Sequence, residues 1–190
     1  MNWLEIIAVC LGLANVGLLV RRSIWNYPFG MAMVTLYFFI FWEARLYAES
    51  LLQVFFFAVQ GWGWFLWAKA GGMEQAVAVR WMGWPARVLA LACVTIATGL
   101  VGWLMASLTD AALPYADAAI AGASVVAQIL LSIRRVENWV LWIAIDIGAI
   151  WLYIERDLHL TAGLYCAFLV LATLGLLQWV KAARQGDAIA

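Results

Sequence analysis

WNYPFGMAMVTLYFFIFWEARLY (residues 25–47) and ENWVLWIAIDIGAIWLYIERDLH (residues 137–159) are two copies of one pattern, and the fold follows from them. Each has an asparagine in second place, runs apolar for the length of a helix, and then reaches a carboxylate. A shift of 112 residues lays one on the other without a gap: Arg22 falls on Arg134, Asn26 on Asn138, Glu43 on Glu155 and Leu46 on Leu158. The register continues past the segment, with Leu52 on Leu164, Gly63 on Gly175 and Trp67 on Trp179. Shared hydrophobicity alone does not align an amide, a loop carboxylate and a terminal tryptophan at one offset.

Both copies are too apolar for a soluble helix, which keeps its apolar residues on one stripe. The whole chain shares this character. Of its 190 residues, 67% are hydrophobic and 12% charged, against about half and about a quarter in soluble domains. A run of about 18 apolar residues crosses the ~30 Å hydrocarbon layer of a bilayer. Such runs predict spans at 3–20, 25–42, 51–68, 88–108, 118–133, 139–154 and 160–180. Helices are expected, because backbone groups in lipid must be paired within their own segment, and the alternation of a membrane barrel is absent. The first span contains Glu5 and has no basic residue ahead of it, so it reads as part of the mature fold and not as a signal peptide.

The expected fold is therefore an all-α integral membrane protein, one membrane domain over 1–190. Its parts are a three-helix repeat (1–68), a linker-helix region (69–110) and a second three-helix repeat (111–190). An offset of four helices is even, so this 3+1+3 arrangement has parallel repeats. Parallel repeats about an axis along the membrane normal occur in transporters, with the substrate site at the repeat interface near mid-membrane. The other reading is that duplication built a stable bundle, a membrane scaffold that transports nothing.

The loops assign the sides. Those on the side of the C-terminus carry Arg21, Arg22, Lys69, Arg80, Arg87, Arg134, Arg135, Lys181 and Arg184; those on the other carry Arg45 and Arg156, which accounts for all 11 basic residues. Acidic residues (Glu5, Glu43, Glu49, Asp110, Asp117, Glu155, Asp157) mostly go the other way. The basic excess marks the cytoplasm, so the N-terminus is expected outside and the C-terminus inside.

Polar side chains in a span need a partner or a water-lined path. The candidates for a solute site are Asn15, Gln53, Gln60, Gln128 and Asp146, with Asn26 and Asn138 near helix ends. Helical spacing groups Trp139, Trp142, Asp146 and Tyr153 on the sixth span, Gln53, Gln60, Trp64 and Trp67 on the third, and Asn26, Met33 and Tyr37 on the second. Aromatic faces beside amides suit a planar heterocycle with a hydroxylated arm, and a cationic ring gains cation–π attraction. The amides serve equally well as helix-to-helix hydrogen bonds. Most of the 13 tryptophans, among them Trp3, Trp67, Trp81, Trp84 and Trp179, are expected as interfacial anchors. Gly61, Gly63 and Gly148 suit close helix packing.

Other classes are disfavoured. The formal net charge is zero, which offers nothing to a nucleic acid. Cys10, Cys93 and Cys166 sit in separate spans, and His159 is the single histidine, so neither a metal site nor a cofactor is expected. A clustered acid, base and nucleophile set is not visible, nor is a GxxxxGK[ST] segment.

Four segments, RRSIWNYPFG, LYAESLLQVFFFAVQGWGWFLW, VENWVLWIAIDIGAIWLY and DLHLTAGLYCAFLVLATLGLLQW, resemble the PnuC family of bacterial vitamin and nucleoside transporters. The specific parts are ENWxxWxxxD (Glu137 to Asp146) and LYxExxLQ…GWxxW (Leu46 to Trp67). The resemblance implies a fold like that of full-length SWEET transporters and a place in the bacterial inner membrane. It also implies facilitated diffusion of a nucleoside-like vitamin, most often nicotinamide riboside, trapped afterwards by a cytoplasmic kinase. Thiamine is the alternative solute. The partners expected are this small molecule and membrane lipid; the oligomeric state is open, a homo-oligomer included.

Overall fold

The computed structural model describes residues 3–43, 47–73, 76–108, 113–155 and 159–187. Arg45, Leu46, Asp110, Arg156, Asp157 and Leu158 lie outside the described residues, as do the side chains of Glu5, Glu49, Tyr153 and His159.

Seven helices make up the described chain: α1 (Trp3–Val20), α2 (Asn26–Glu43), α3 (Tyr47–Lys69), α4 (Trp84–Leu108), α5 (Pro114–Ser132), α6 (Glu137–Glu155) and α7 (His159–Asp187). Each expected span falls on one of them. Four stretches, Ser50–Lys69, Trp84–Leu108, Pro114–Ser132 and Ala162–Gln185, are long and apolar enough to cross a membrane. Pro28, Pro85 and Pro114 stand in the first turns of α2, α4 and α5, where a missing N–H leaves no helical bond unmade.

α1 and α5 end in the same way. Arg22 and Arg134 adopt φ of 57° and 62°, the left-handed cap that glycine usually fills. Arg22 N–H donates to the Leu19 carbonyl (2.8 Å) and Ser23 N–H to that of Leu18 (3.0 Å); Arg134 N–H donates to Leu131 (2.9 Å) and Arg135 N–H to Leu130 (2.8 Å). The next helix then starts on an asparagine that returns to the turn. Asn26 Nδ2 donates to the Ser23 carbonyl at 2.7 Å, and Asn138 Nδ2 to that of Arg135 at 2.6 Å. All these pairs are related by the shift of 112 residues.

The helices pack as a ring. α1 lies on α2, α2 on α3, α3 on α5, α5 on α6, α6 on α7, and α7 returns to α1, while α4 rests on α5 alone. At the end of the ring that carries the arginine turns, four buried aromatic rings fill the interior. Tyr27 meets Trp67 edge-on (centroids 5.3 Å apart, 89°), and their 112-residue mates Trp139 and Trp179 repeat the geometry (5.6 Å, 86°). Trp67 and Trp179 meet each other at 6.0 Å. The expectation that these two tryptophans anchor at the membrane interface is corrected here, since both are fully buried. The cause lies one turn earlier. Gly63 and Gly175 let Tyr27 and Trp139 press against bare backbone, which brings those rings against the tryptophans. Burying ~150–250 Å² of aromatic surface outweighs interfacial anchoring. Trp3 and Trp84, by contrast, are exposed. Gly175→Val should therefore lower the melting temperature in detergent by several degrees, because even its Cβ would lie 2.5 Å from the Trp139 ring and overpacking costs ~1–3 kcal/mol. An unchanged melting temperature would refute this packing.

Between α3 and α4, residues 76–82 form an extended strap across the same end. Val77 and Val79 point inward and are 1% and 4% exposed, while Ala76, Ala78 and Arg80 point out, the alternation of an extended chain. The strap bonds to both turns. Val77 N–H donates to the Arg22 carbonyl (3.4 Å), and Arg22 Nη1 donates back to the Val77 carbonyl (3.1 Å). Arg80 N–H donates to the Arg134 carbonyl (3.2 Å), and Val136 N–H to that of Arg80 (3.1 Å). Arg135 Nη1 reaches the Trp81 carbonyl at 3.3 Å. Glu137 Oε1 accepts from Met82 N–H (2.9 Å) and pairs with Arg87 Nε (2.8 Å). Burial holds the guanidinium groups of Arg22 and Arg134 below their ordinary pKa, and Arg135 and Arg80 push Arg134 further the same way.

Candidate functional site

Halfway up the ring the two copies diverge. On the first, α2 presents Gly30. A Cβ there would overlap Gln60 Oε1 of α3 and lie 2.5 Å from Asn15 Nδ2 of α1, so two amides meet over a bare backbone. Asn15 Nδ2 donates to the Asn26 carbonyl at 2.7 Å, and Gln60 is 6% exposed. The 112-residue mates of Asn15, Gly30 and Gln60 are Ala127, Trp142 and Ala172. Where one copy combines a glycine with two amides, the other combines an indole with two alanines. Ala127 and Ala172 are buried, and Trp142 packs on the cluster to which Ala172 belongs. The volumes compensate, so the ring closes around unlike walls, amide on one side and aromatic on the other.

On α6 a turn-by-turn stripe runs Asn138, Trp142, Asp146. Asn138 is fully buried and Asp146 is 4% exposed. The mate of Asp146 is Val34, equally buried. The Asp146 carboxylate has no hydrogen-bond or ion-pair partner among the described residues, and the described cations gather at the strap end of the helices. An ionised carboxylate in such a place needs water or a cationic ligand, since unpaired charge costs at least ~2.5–3.5 kcal/mol in a membrane. Gln128 of α5 is buried one turn before Ser132, whose Oγ is within hydrogen-bond reach of the Gln128 carbonyl (3.0 Å) and, across the interface, the Val59 carbonyl of α3 (3.3 Å).

The sequence candidates thus sort into groups. Asn15, Asn26 and Gln60 come together around Gly30, and Asn138, Trp142 and Asp146 share one stripe. Trp139 does not join that stripe: it is buried in the four-ring cluster below. Trp64 is 36% exposed and leaves the buried face that carries Gln60 and Trp67. Gln53 and Tyr37 are half-buried. Gly30, Tyr27, Val77 and Val79 were absent from the sequence candidates. The 112-residue shift pairs Gly30 with Trp142 and so carried a signal for the first; the alternation in AVAVR carried one for the valines.

A ring of helices, four of them long and apolar enough to cross a membrane, with unlike polar and aromatic walls halfway along it, is an architecture that suits a membrane transporter. Residues 2–181 match the nicotinamide mononucleotide transporter family, and the chain belongs to it. Among its relatives is the nicotinamide riboside transporter PnuC of Escherichia coli (strain K12), 29% identical over 97% of this chain and 88% of that protein. The riboflavin/roseoflavin transporter RibM of Streptomyces davaonensis is 25% identical over 96% of this chain and 87% of its own. The crystal structure of the vitamin B3 transporter PnuC superposes with a TM-score of 0.79 at 26% identity, covering 96% of this chain and 83% of that one.

Proposed function

We propose that this protein carries nicotinamide riboside into a bacterium by facilitated diffusion. The observation that carries the reading is the pair of unlike walls with Asp146 beside them. Nicotinamide riboside has a flat cationic pyridinium ring, a carboxamide and ribose hydroxyls. Trp142 offers the ring a stacking face, with cation–π attraction of about 0.5–2 kcal/mol. Asp146, one turn away, supplies the opposite charge, and Asn15, Gln60 and Gln128 supply amide donors and acceptors for the carboxamide and sugar. Thiamine, another cationic heterocycle with a polar arm, is the second solute that suits these groups. A flavin, which is neutral, leaves Asp146 unanswered.

The same reading gives the architecture. The matching caps, ring pairs and helix contacts support two parallel three-helix repeats joined by α4, in a 3+1+3 arrangement of seven spans. The arginine-rich end faces the cytoplasm and the N-terminus lies outside. The strap and the four rings then close the cytoplasmic mouth, and uptake requires them to part. Trp67 Nε1 and Trp139 Nε1 are buried without partners among the described residues, and opening hydrates them. A phosphorylated solute meets Asp146 with like charge and no cation at that depth among the described residues, so phosphorylation in the cytoplasm traps the vitamin. Among the described residues Asp146 is the single Asp, Glu, Lys, Arg or His deep in a helix, and a proton or ion relay needs more. Transport is downhill.

Liposomes holding the purified protein should take up labelled nicotinamide riboside until inside and outside concentrations match, and should exclude its 5′-phosphate. Uptake of riboflavin with neither nicotinamide riboside nor thiamine carried would overturn the choice of solute.

A further inference from the structure

The strap end carries a second polar feature, on the outer surface of the ring. Two grooves adjoin there and share Lys181 and Gln185. One, of about 490 Å³, is mainly apolar and is lined by Leu177, Val180, Lys181, Arg184 and Gln185. The other, of about 330 Å³, is far more polar and is lined by Arg21, Arg22, Gln178, Lys181, Ala182 and Gln185. Among the described residues, four cations border the pair and no carboxylate does. Arg21, Lys181 and Arg184 have no ion-pair partner among the described residues, where the one salt bridge joins Arg87 to Glu137. The side chain of Asp187, the nearest acid along α7, lies outside the described residues.

The apolar groove continues along α7. Val170, Leu174 and Leu177 are exposed, and with Lys181 and Arg184 they follow one another at steps of four, three, four and three residues, a single helix face. From Val170 to Lys181 that face is roughly 16 Å long at 1.5 Å per residue, about the depth of one leaflet's hydrocarbon.

We propose that this face binds an anionic glycerophospholipid, with the phosphodiester among Arg21, Arg22 and Lys181 and an acyl chain along Leu177, Leu174 and Val170. A soluble phosphate would use the cations and leave the apolar groove empty. A zwitterionic lipid would fill the groove but bring a quaternary ammonium to a wall of cations. The site belongs to one repeat only: the mates of Arg21 and Gln178 are Ile133 and Leu66. Lys69, mate of Lys181, instead lies over the Phe65 ring at 4.5 Å. Arg22 belongs to both the lipid site and the strap, because its Nη1 also holds the Val77 carbonyl. A bound phosphate and the strap would share one guanidinium, whose five N–H donors allow both contacts.

The test is thermal unfolding of the purified protein in detergent, with phosphatidylglycerol, phosphatidylcholine or inorganic phosphate added separately. Phosphatidylglycerol should raise the melting temperature in a saturable way, and the other two should not. Lys181→Gln should weaken the phosphatidylglycerol effect about fivefold, the equivalent of ~1 kcal/mol per surface cation. The triple variant Arg21→Gln, Lys181→Gln, Arg184→Gln should abolish it. Both variants should keep the shift given by the transported solute, which separates failure of this site from failure of the transport reading. Should the triple variant not insert, native mass spectrometry of the wild type in mixed lipid decides, one anionic lipid being retained. Equal shifts with both lipids, an equal shift with inorganic phosphate, or undiminished response in Lys181→Gln would overturn the proposal.

Discussion

Joining the strap to the α5–α6 turn by a disulfide should stop uptake, and reduction should restore it. Arg80 and Arg135 are bridge partners on parallel backbone, and neighbouring strands lie about 4.7–4.9 Å apart, within the range a disulfide spans. The variant Arg80→Cys, Arg135→Cys would be made in a background without Cys10, Cys93 and Cys166, which are free and exposed. Oxidation should lower uptake at least about tenfold relative to the same protein reduced, because the strap end of the ring could no longer open. Full cross-linking with undiminished uptake would show that the strap stays in place throughout the cycle. Comparing one variant in two redox states removes the cost of the lost Arg135 to Trp81 hydrogen bond from the result.

Asp146→Asn should lower affinity for a cationic solute about tenfold or more, equivalent to ~1.4 kcal/mol. The melting temperature without ligand should stay near that of the wild type. The substitution keeps shape and hydrogen-bonding capacity and removes the charge. A carboxylate that answers a pyridinium loses its contribution; one that ties helices together does not depend on ionisation. Unchanged affinity with a large loss of stability would assign Asp146 to packing. A neutral heterocycle of the same size should discriminate little between the two proteins.

The helices were legible because they rest on local rules, and the 112-residue repeat marked where they begin and end. Asn26 and Asn138 stand one turn past an arginine pair, and that punctuation survives in one dimension. The strap was not legible as such. AVAVR alternates, but five residues of alternation say nothing of a partner, and here the partners are two turns some 55 residues away on either side. The arginine pairs read as charge because the side chain is what a sequence prints, whereas much of their structural role falls to backbone carbonyls. At the site, spacing put Trp139 and Trp142 on one face, since steps of three and four residues both stay within a broad stripe. Only packing decided that the inner line runs Asn138, Trp142, Asp146 and that Trp139 turns to Gly175. Trp67 and Trp179 escaped the anchoring rule because glycine, four residues earlier in each case, admits a neighbouring ring, an effect of tertiary fit that composition does not carry.

The strap also imposes an order of assembly. It lies between the two copies, so when it leaves the ribosome its first partner, the turn at Arg22, already exists, while its second, at Arg134 to Val136, has yet to be made. The nascent strap can dock on one side only. Val79 and the Trp67 ring wait for α5 and α7 to cover them, and the edge presented by Arg80 serves as a template onto which the later turn zips. Closure of the strap end of the ring is thus among the last events of folding. A gene cut between the copies would hand the strap to one fragment and leave the other with an arginine turn whose carbonyl accepts only from water until the two fragments meet.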